Sequence, residues 1–176
     1  SILATGLSSI SLDPKKSFIS ISSGNATFSA LNSASVFNLS TLSLSAGDEI
    51  ILQRTGTYDT GGGGVRTATL AVFLDSTDKP VALATYPTSA NNNGITPVAP
   101  IFTLVDDNAT LASGVATKVA IPANATKIAF MAPDIANGDN TSINYGMKIT
   151  KVGAQDTDKP TISGTAEKGS VVTLYD

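Results

Sequence analysis

The sequence predicts an all-β chain, folded as an antiparallel β-sandwich. Three observations lead there. The first is alternation. In Ile143-Asn-Tyr-Gly-Met-Lys-Ile149 the apolar Ile143, Tyr145, Met147 and Ile149 occupy every second position, the mark of a half-buried strand. The second is frequent turn chemistry, which cuts the chain into short runs: Ser23-Gly24-Asn25, Ala46-Gly47-Asp48, Asp75 to Pro80, Asn91-Asn-Asn-Gly94 and Pro122-Ala-Asn124. The third is the lack of a helical stripe over any dozen residues. Of 14 acids, 12 are Asp and only Glu49 and Glu167 are Glu. Asp suits turns and caps, whereas Glu suits helices.

The elements follow in order. Strands are expected at 17–22, 41–44, 49–53, 69–74, 81–85, 101–105, 118–121, 126–131 and 143–149, each a short run bounded by a turn signal. The Ala/Ser-rich stretch 29–35 has the composition of a short helical turn. The pairs Tyr58/Tyr86 and Phe73/Phe102 are expected to pack rather than to form a stacking platform.

The chain has 176 residues, enough for one domain with its own core. It contains no Cys, no His and no Trp. Thiolate metal sites, disulfides, Cys nucleophiles and the His-dependent triads are therefore closed to it. Ser and Thr number 20 and 22. The net charge is −3, with only two Arg and no basic stripe, so no nucleic-acid partner is expected. No apolar run approaches a membrane span, so no membrane insertion is expected. The chain starts at Ser1 without a leader and reads as a piece of something longer.

Composition changes at Asp156-Thr-Asp-Lys-Pro160, a polar, Pro-containing linker. Residues 1–155 are expected to form the ligand-binding domain and 156–176 a linker with the first strands of a following repeat. The tail is too short to bury a core of its own.

Two loops carry candidate chemistry. In Asp134-Ile-Ala-Asn-Gly-Asp-Asn-Thr141 the side chains of Asp134, Asp139 and Asn140, with Asn137 as a fourth, offer hard oxygens; Gly138 allows a sharp turn that can aim a carbonyl inward. Calcium takes roughly six to eight such oxygens at about 2.3–2.6 Å. The same residues also suit an ordinary hairpin loop. The second loop is Gln53-Arg-Thr-Gly-Thr-Tyr-Asp-Thr-Gly-Gly-Gly-Gly-Val-Arg66. Gly61, Gly62, Gly63 and Gly64 leave bare N–H groups that can approach a ligand carboxylate closely, or simply form a flexible tip. Arg54 and Arg66 flank it as a carboxylate clamp or as solvent-facing strand residues, the second reading suiting Arg54 better. Asp106-Asp107-Asn108 reads as a turn, and Asp48 as a turn cap. Asp75, Asp78, Asp156 and Asp158 are candidates for weaker calcium sites.

The order of these features resembles the calcium-dependent galactophilic lectins of bacteria, small jelly-roll-like β-sandwiches. The matching residues are Gly47-Asp48-Glu49-Ile50-Ile51-Leu52, then Tyr58, then Asp134 to Asn140, then the strand from Ile143 to Ile149. The resemblance implies a calcium held by the Tyr58 carbonyl, Asp134, a carbonyl of Gly138 or Asn137, Asp139 and Asn140. The loop here is about two residues shorter, and the lectins' sugar-contacting His has no counterpart, which argues against galactose. Residues 160–176, with Pro160-Thr-Ile-Ser-Gly and Val172-Thr-Leu-Tyr175, resemble the opening of immunoglobulin-like adhesin repeats. The combination resembles the peptide-binding domain of repeats-in-toxin (RTX) adhesins.

That resemblance implies a non-enzymatic, monomeric, extracellular cell-surface module. It would bind Ca2+ and use it to hold the C-terminal carboxylates of peptides on partner cells, in adhesion and biofilm formation. The ligand would meet Tyr58, Asp59, the four glycines, Arg66 and Asp139. The chain's own Tyr175-Asp176 end would then dock into a neighbouring molecule. A calcium-dependent carbohydrate-binding lectin and a calcium-stiffened spacer are the alternatives. A hydrolase using Asp134/Asp139 or Asp106/Asp107 is disfavoured, since nothing places either pair across a cleft.

Overall fold

The fold is that of a computed structural model, which describes residues 4–31, 34–62, 64–87, 94–104 and 116–153. In chain order the strands are β1 (Ala4–Ser11), β2 (Ile19–Ser22), β3 (Asn25–Phe28), β4 (Ser35–Asn38), β5 (Glu49–Asp59), β6 (Val65–Arg66), β7 (Leu70–Leu74), β8 (Pro80–Val81), β9 (Thr96–Pro97), β10 (Phe102–Thr103), β11 (Thr117–Ala120), β12 (Lys127–Met131) and β13 (Thr141–Val152). Two single-turn 3-10 helices, Leu39–Leu42 and Asn137–Asp139, interrupt them.

The strands form three sheets. The first has the order β1-β13-β5-β11, with β6 also on β5; the second has the order β10-β7-β12-β4, with β8 on β7; the third is β2-β3-β9. All pairings are antiparallel except β3 with β9.

The second sheet is the middle layer. One of its faces, through Ala71, Phe73, Ile128 and Phe130, packs on Ile50, Leu52, Tyr58, Val119, Met147 and Ile149 of the first sheet. Its other face, through Leu70, Val72, Leu74, Ala129 and Met131, packs on Phe18, Ala26, Ile19, Ile21 and Phe28 around the third sheet. This explains why β7 is an unbroken apolar run with every residue buried: a strand covered on both faces does not alternate. Each large side chain so buried contributes about 1.5–3 kcal/mol. Phe73 and Phe102 stack at 5.8 Å, so that pair does pack. Tyr58, by contrast, meets Tyr145 edge-on at 5.0 Å and not Tyr86.

Several strand expectations are corrected. Residues 41–44 are not a strand: the chain makes a 3-10 turn at Leu39–Leu42 and leaves it through Ser43 in the left-handed region, φ 57°. The strand expected at 81–85 is only Pro80–Val81. In 29–35, residues 32 and 33 lie outside the described residues; the Ala34 N–H donates to the Leu31 carbonyl at 2.9 Å, and Ser35 opens β4. Most consequentially, 53–59 is no loop. It is the second half of the eleven-residue β5, so the glycine loop shrinks to residues 60–64.

The long strand β13 contains the expected alternation and one exception. Tyr145, Met147 and Ile149 are buried on the core face, but Ile143 is 43% exposed. Both Ile143 and Asn144 oppose Thr57, a β-bulge that turns the strand by one residue. Before the bulge, Thr141 and Ile143 share the outer face of the sheet with Asp59 and Thr57; beyond it, core-facing residues carry the odd numbers.

Candidate cation and ligand site

The candidate site lies where β5 ends and β13 begins. Asp59, the last residue of β5, sits between Val65 of β6 and Thr141 of β13, giving the cross-strand row Val65–Asp59–Thr141. In the neighbouring row Arg66–Tyr58–Ser142, Tyr58 points into the core. There the Tyr58 ring is fully buried and its hydroxyl donates to the Ala68 carbonyl at 2.9 Å. Tyr58 therefore has only its main chain to offer a ligand, and Arg66, half-buried, lies on the face opposite Asp59.

The turn after Asp59 closes on itself. The Thr60 N–H and hydroxyl both donate to the Gly64 carbonyl, at 3.2 and 3.0 Å. Gly61 and Gly64 take positive φ, 69° and 81°, which glycine adopts without strain. Around Gly62 and Gly64 a side chain would meet open space. Gly61 differs, because a Cβ there would stand 2.5 Å from Asp139 Oδ2. Gly63 lies outside the described residues.

The segment between β12 and β13 is not a hairpin, since those strands belong to different sheets. It crosses the end of the sandwich and is pinned by amides. Asn137 Nδ2 donates to the Ala132 carbonyl at 2.9 Å, and Asn140 Nδ2 to the Pro14 carbonyl at 3.0 Å. Asn140 N–H closes the 3-10 turn on the Asn137 carbonyl at 3.2 Å. The Asn137 carbonyl is thus engaged, and its side chain holds the loop. Asp134 Oδ1 accepts the Ala136 N–H at 3.3 Å. Gly138 is exposed with free space around it.

Two buried oxygens at this end have no hydrogen-bond partner: Asn140 Oδ1 and Asp59 Oδ1. Asn140 is completely buried. Its amide nitrogen is committed to Pro14, so its oxygen faces the other way. Buried polar atoms are normally paired, and an orphan calls for a donor or a cation. With the Asp139 carboxylate over Gly61, the residues present fit a hard cation in the kind of oxygen they offer: one carboxylate and one buried amide oxygen with nothing to accept. No group of three or more Asp or Glu side chains converges among the described residues, so amide and main-chain oxygens would have to complete the shell.

The other candidates read differently. Arg54 is neither clamp nor solvent-facing: it is 1% exposed, on the core face of β5, and donates to the Gly56 carbonyl. Asp75 Oδ1 accepts the Thr77 N–H and hydroxyl and the Lys79 N–H, at 2.7, 2.8 and 3.0 Å, so it serves a turn. Asp78 pairs with Lys127. Asp48 caps its turn, accepting the Ser45 N–H at 2.9 Å, and pairs with Lys151 at 2.8 Å. Asp106-Asp107-Asn108, Asn91 to Asn93, Asp156, Asp158 and the whole of 156–176, including Tyr175-Asp176, lie outside the described residues.

Apolar walls are expected near Tyr58, but the sequence did not single out the exposed side chains that this end carries. Val65, Ile143 and Ile135 are 37%, 43% and 81% exposed, and the bulge alone explains Ile143. A groove of about 720 Å³ lies at the other end of β5, between β11 and residues 82–87. Its rim carries the Glu49–Lys118 ion pair and no orphaned oxygen among the described residues. No family model, curated protein or solved structure matches the chain.

Proposed function

We propose that this chain is a calcium-dependent adhesion module that captures the C-terminal carboxylate of a peptide on a partner protein, in the manner of the RTX adhesin domains it resembles. The observation that carries the reading is the orphaned, fully buried Asn140 Oδ1, next in sequence to Asp139, in the loop where the sequence suggested calcium. When bound, calcium supplies a concentrated positive charge for an incoming carboxylate. Asp139 and Asn140 hold it, with Asp134 and the Tyr58 and Gly138 carbonyls as further oxygens. Open space around Gly62 and Gly64 lets a peptide main chain approach the turn. The exposed Val65, Ile143 and Ile135 give the residues before the terminus something apolar to cover. A contact set of this size suits micromolar binding, about −8 kcal/mol, raised by many copies acting together. A surface role outside the cell belongs to the same proposal.

The test is calorimetry with a peptide ending in Tyr-Asp, its C-terminal amide and simple sugars, each with calcium and with chelator. Binding of the free acid alone, and only with calcium, supports the reading. Equal binding of the amide, or binding that persists in chelator, overturns it.

A further inference from the structure

We infer that the Asp59 carboxylate is itself a ligand of the cation, so that the site is built across the β5–β13 ladder and not within the 134–140 loop alone. This rests on the calcium reading above. Asp59 Oδ1 is buried and accepts no hydrogen bond. A carboxylate oxygen removed from both water and donors is costly unless a positive charge compensates it. Among the described residues no lysine or arginine forms an ion pair with it; the ion pairs there involve Glu49, Asp78 and Asp48.

The two orphaned oxygens lie on adjoining positions of the chain ends that meet here. Thr141 stands directly across the ladder, and the residue before it is Asn140, whose Oδ1 is the second orphan. Two residues beyond Asp59, Gly61 lies under the Asp139 carboxylate, where its missing Cβ leaves room for Oδ2. Oxygens alone cannot satisfy one another. A divalent cation would satisfy the two orphans, and with the exposed Asp139 carboxylate they make two carboxylates and a neutral amide oxygen, a donor set calcium accepts. The strand also contributes rigidity. Asp59 is fixed by pairing on both sides, to β6 and to β13. Its backbone is therefore held from both sides, and the 134–140 loop is pinned against the same end by Asn137 and Asn140.

The test uses calorimetry with calcium chloride, together with thermal melts in chelator, on the full chain. Asp59→Asn is expected to weaken calcium binding by about 10- to 100-fold. The chelated variant should melt at or above the wild-type temperature, because an uncompensated charge has been removed. That opposite movement separates a ligand from a structural residue, whose loss would lower the melting temperature without calcium. Asp59→Ser is the second variant and is read in the same way. If Asp59→Asn binds calcium as tightly as wild type while Asp139→Ala does not, Asp59 is no ligand and the loop-centred reading survives. If the wild-type chain binds no calcium, both fall.

Discussion

The Asp139 carboxylate lies directly on Gly61: a methyl group built on that glycine would come within 2.5 Å of Oδ2 and 3.0 Å of Cγ. Gly61 also holds φ at 69°, where an L side chain costs about 1–2 kcal/mol. Gly61→Ala should therefore push the carboxylate aside and weaken calcium binding, while Gly62→Val, with open space around it, should leave calcium affinity near wild type and crowd the peptide instead. Calorimetry with calcium alone and then with peptide checks both. Equal calcium affinity for Gly61→Ala and wild type would place the ion away from Asp139.

The three-layer arrangement makes its own demand. In a two-layer sandwich Leu74 would face solvent; here it is fully buried against the third sheet. Leu74→Ala should cost about 2–5 kcal/mol, the range for a leucine deleted from a core. Urea denaturation measures it. A loss below about 0.5 kcal/mol, typical of a surface change, would mean that the β2-β3-β9 layer does not cover that face.

These particulars show which parts of the fold were legible beforehand. Tyr145, Met147 and Ile149 declared their common face because the strand obeys a two-residue period there. Ile143 broke it because a bulge is set by the partner strand, and the Thr57 that opposes it is far away in sequence. Strand β1 carries Ser8, Ser9 and Ser11 along an edge, so it lacked the apolar signal on which strand reading depends. Residues 53–59 read as loop because Thr, Gly and Asp dominate them, yet pairing with β13 overrode local preference. At the site, the adjacency of Asp139 and Asn140 was visible in one short loop. The orphaned Asp59 oxygen was not, since burial comes from a contact more than 80 residues away along the chain.

Acid should act through Asp48 and Asp75. The Lys151 ammonium hydrogen-bonded to Asp48, aided by the Ser45 N–H, holds its carboxyl below the ordinary range, against a smaller opposing effect of burial. For Asp75 the Lys79 N–H is the main cause, followed by the Thr77 hydroxyl. A carboxyl with a lowered folded-state pKa binds protons more readily when unfolded. Its contribution is complete above the unfolded value, about 3.9, and is lost as pH falls through the folded value. The melting-temperature gap between wild type and Asp48→Asn or Asp75→Asn should thus be constant from about pH 7 to about pH 5 and close below about pH 4. A gap that widened on acidification would reverse the sign and remove both the Lys151 contact of Asp48 and the turn hydrogen bonds of Asp75 as the cause.

The bulge that exposes Ile143 depends on two residues with positive φ, Gly56 at 59° and Asn144 at 56°. They are pressed together, since a Cβ on Gly56 would collide with the Asn144 and Ile143 carbonyls. Gly56→Ala carries both a conformational cost of about 1–2 kcal/mol and that collision, so it should be among the most damaging single substitutions in the strand. Asn144→Gly should be neutral to stabilising, and Asn144→Ala should cost about 1 kcal/mol, because Asn tolerates this region better than Ala. Chemical denaturation gives the ranking. The functional consequence is separate: relaxing the bulge in Gly56→Ala turns Ile143 away from the Val65–Asp59–Thr141 face, so affinity for peptides with an apolar residue before the terminus should fall more than calcium affinity does. If the two fall together, Ile143 contributes nothing to the ligand and the bulge serves only the ladder.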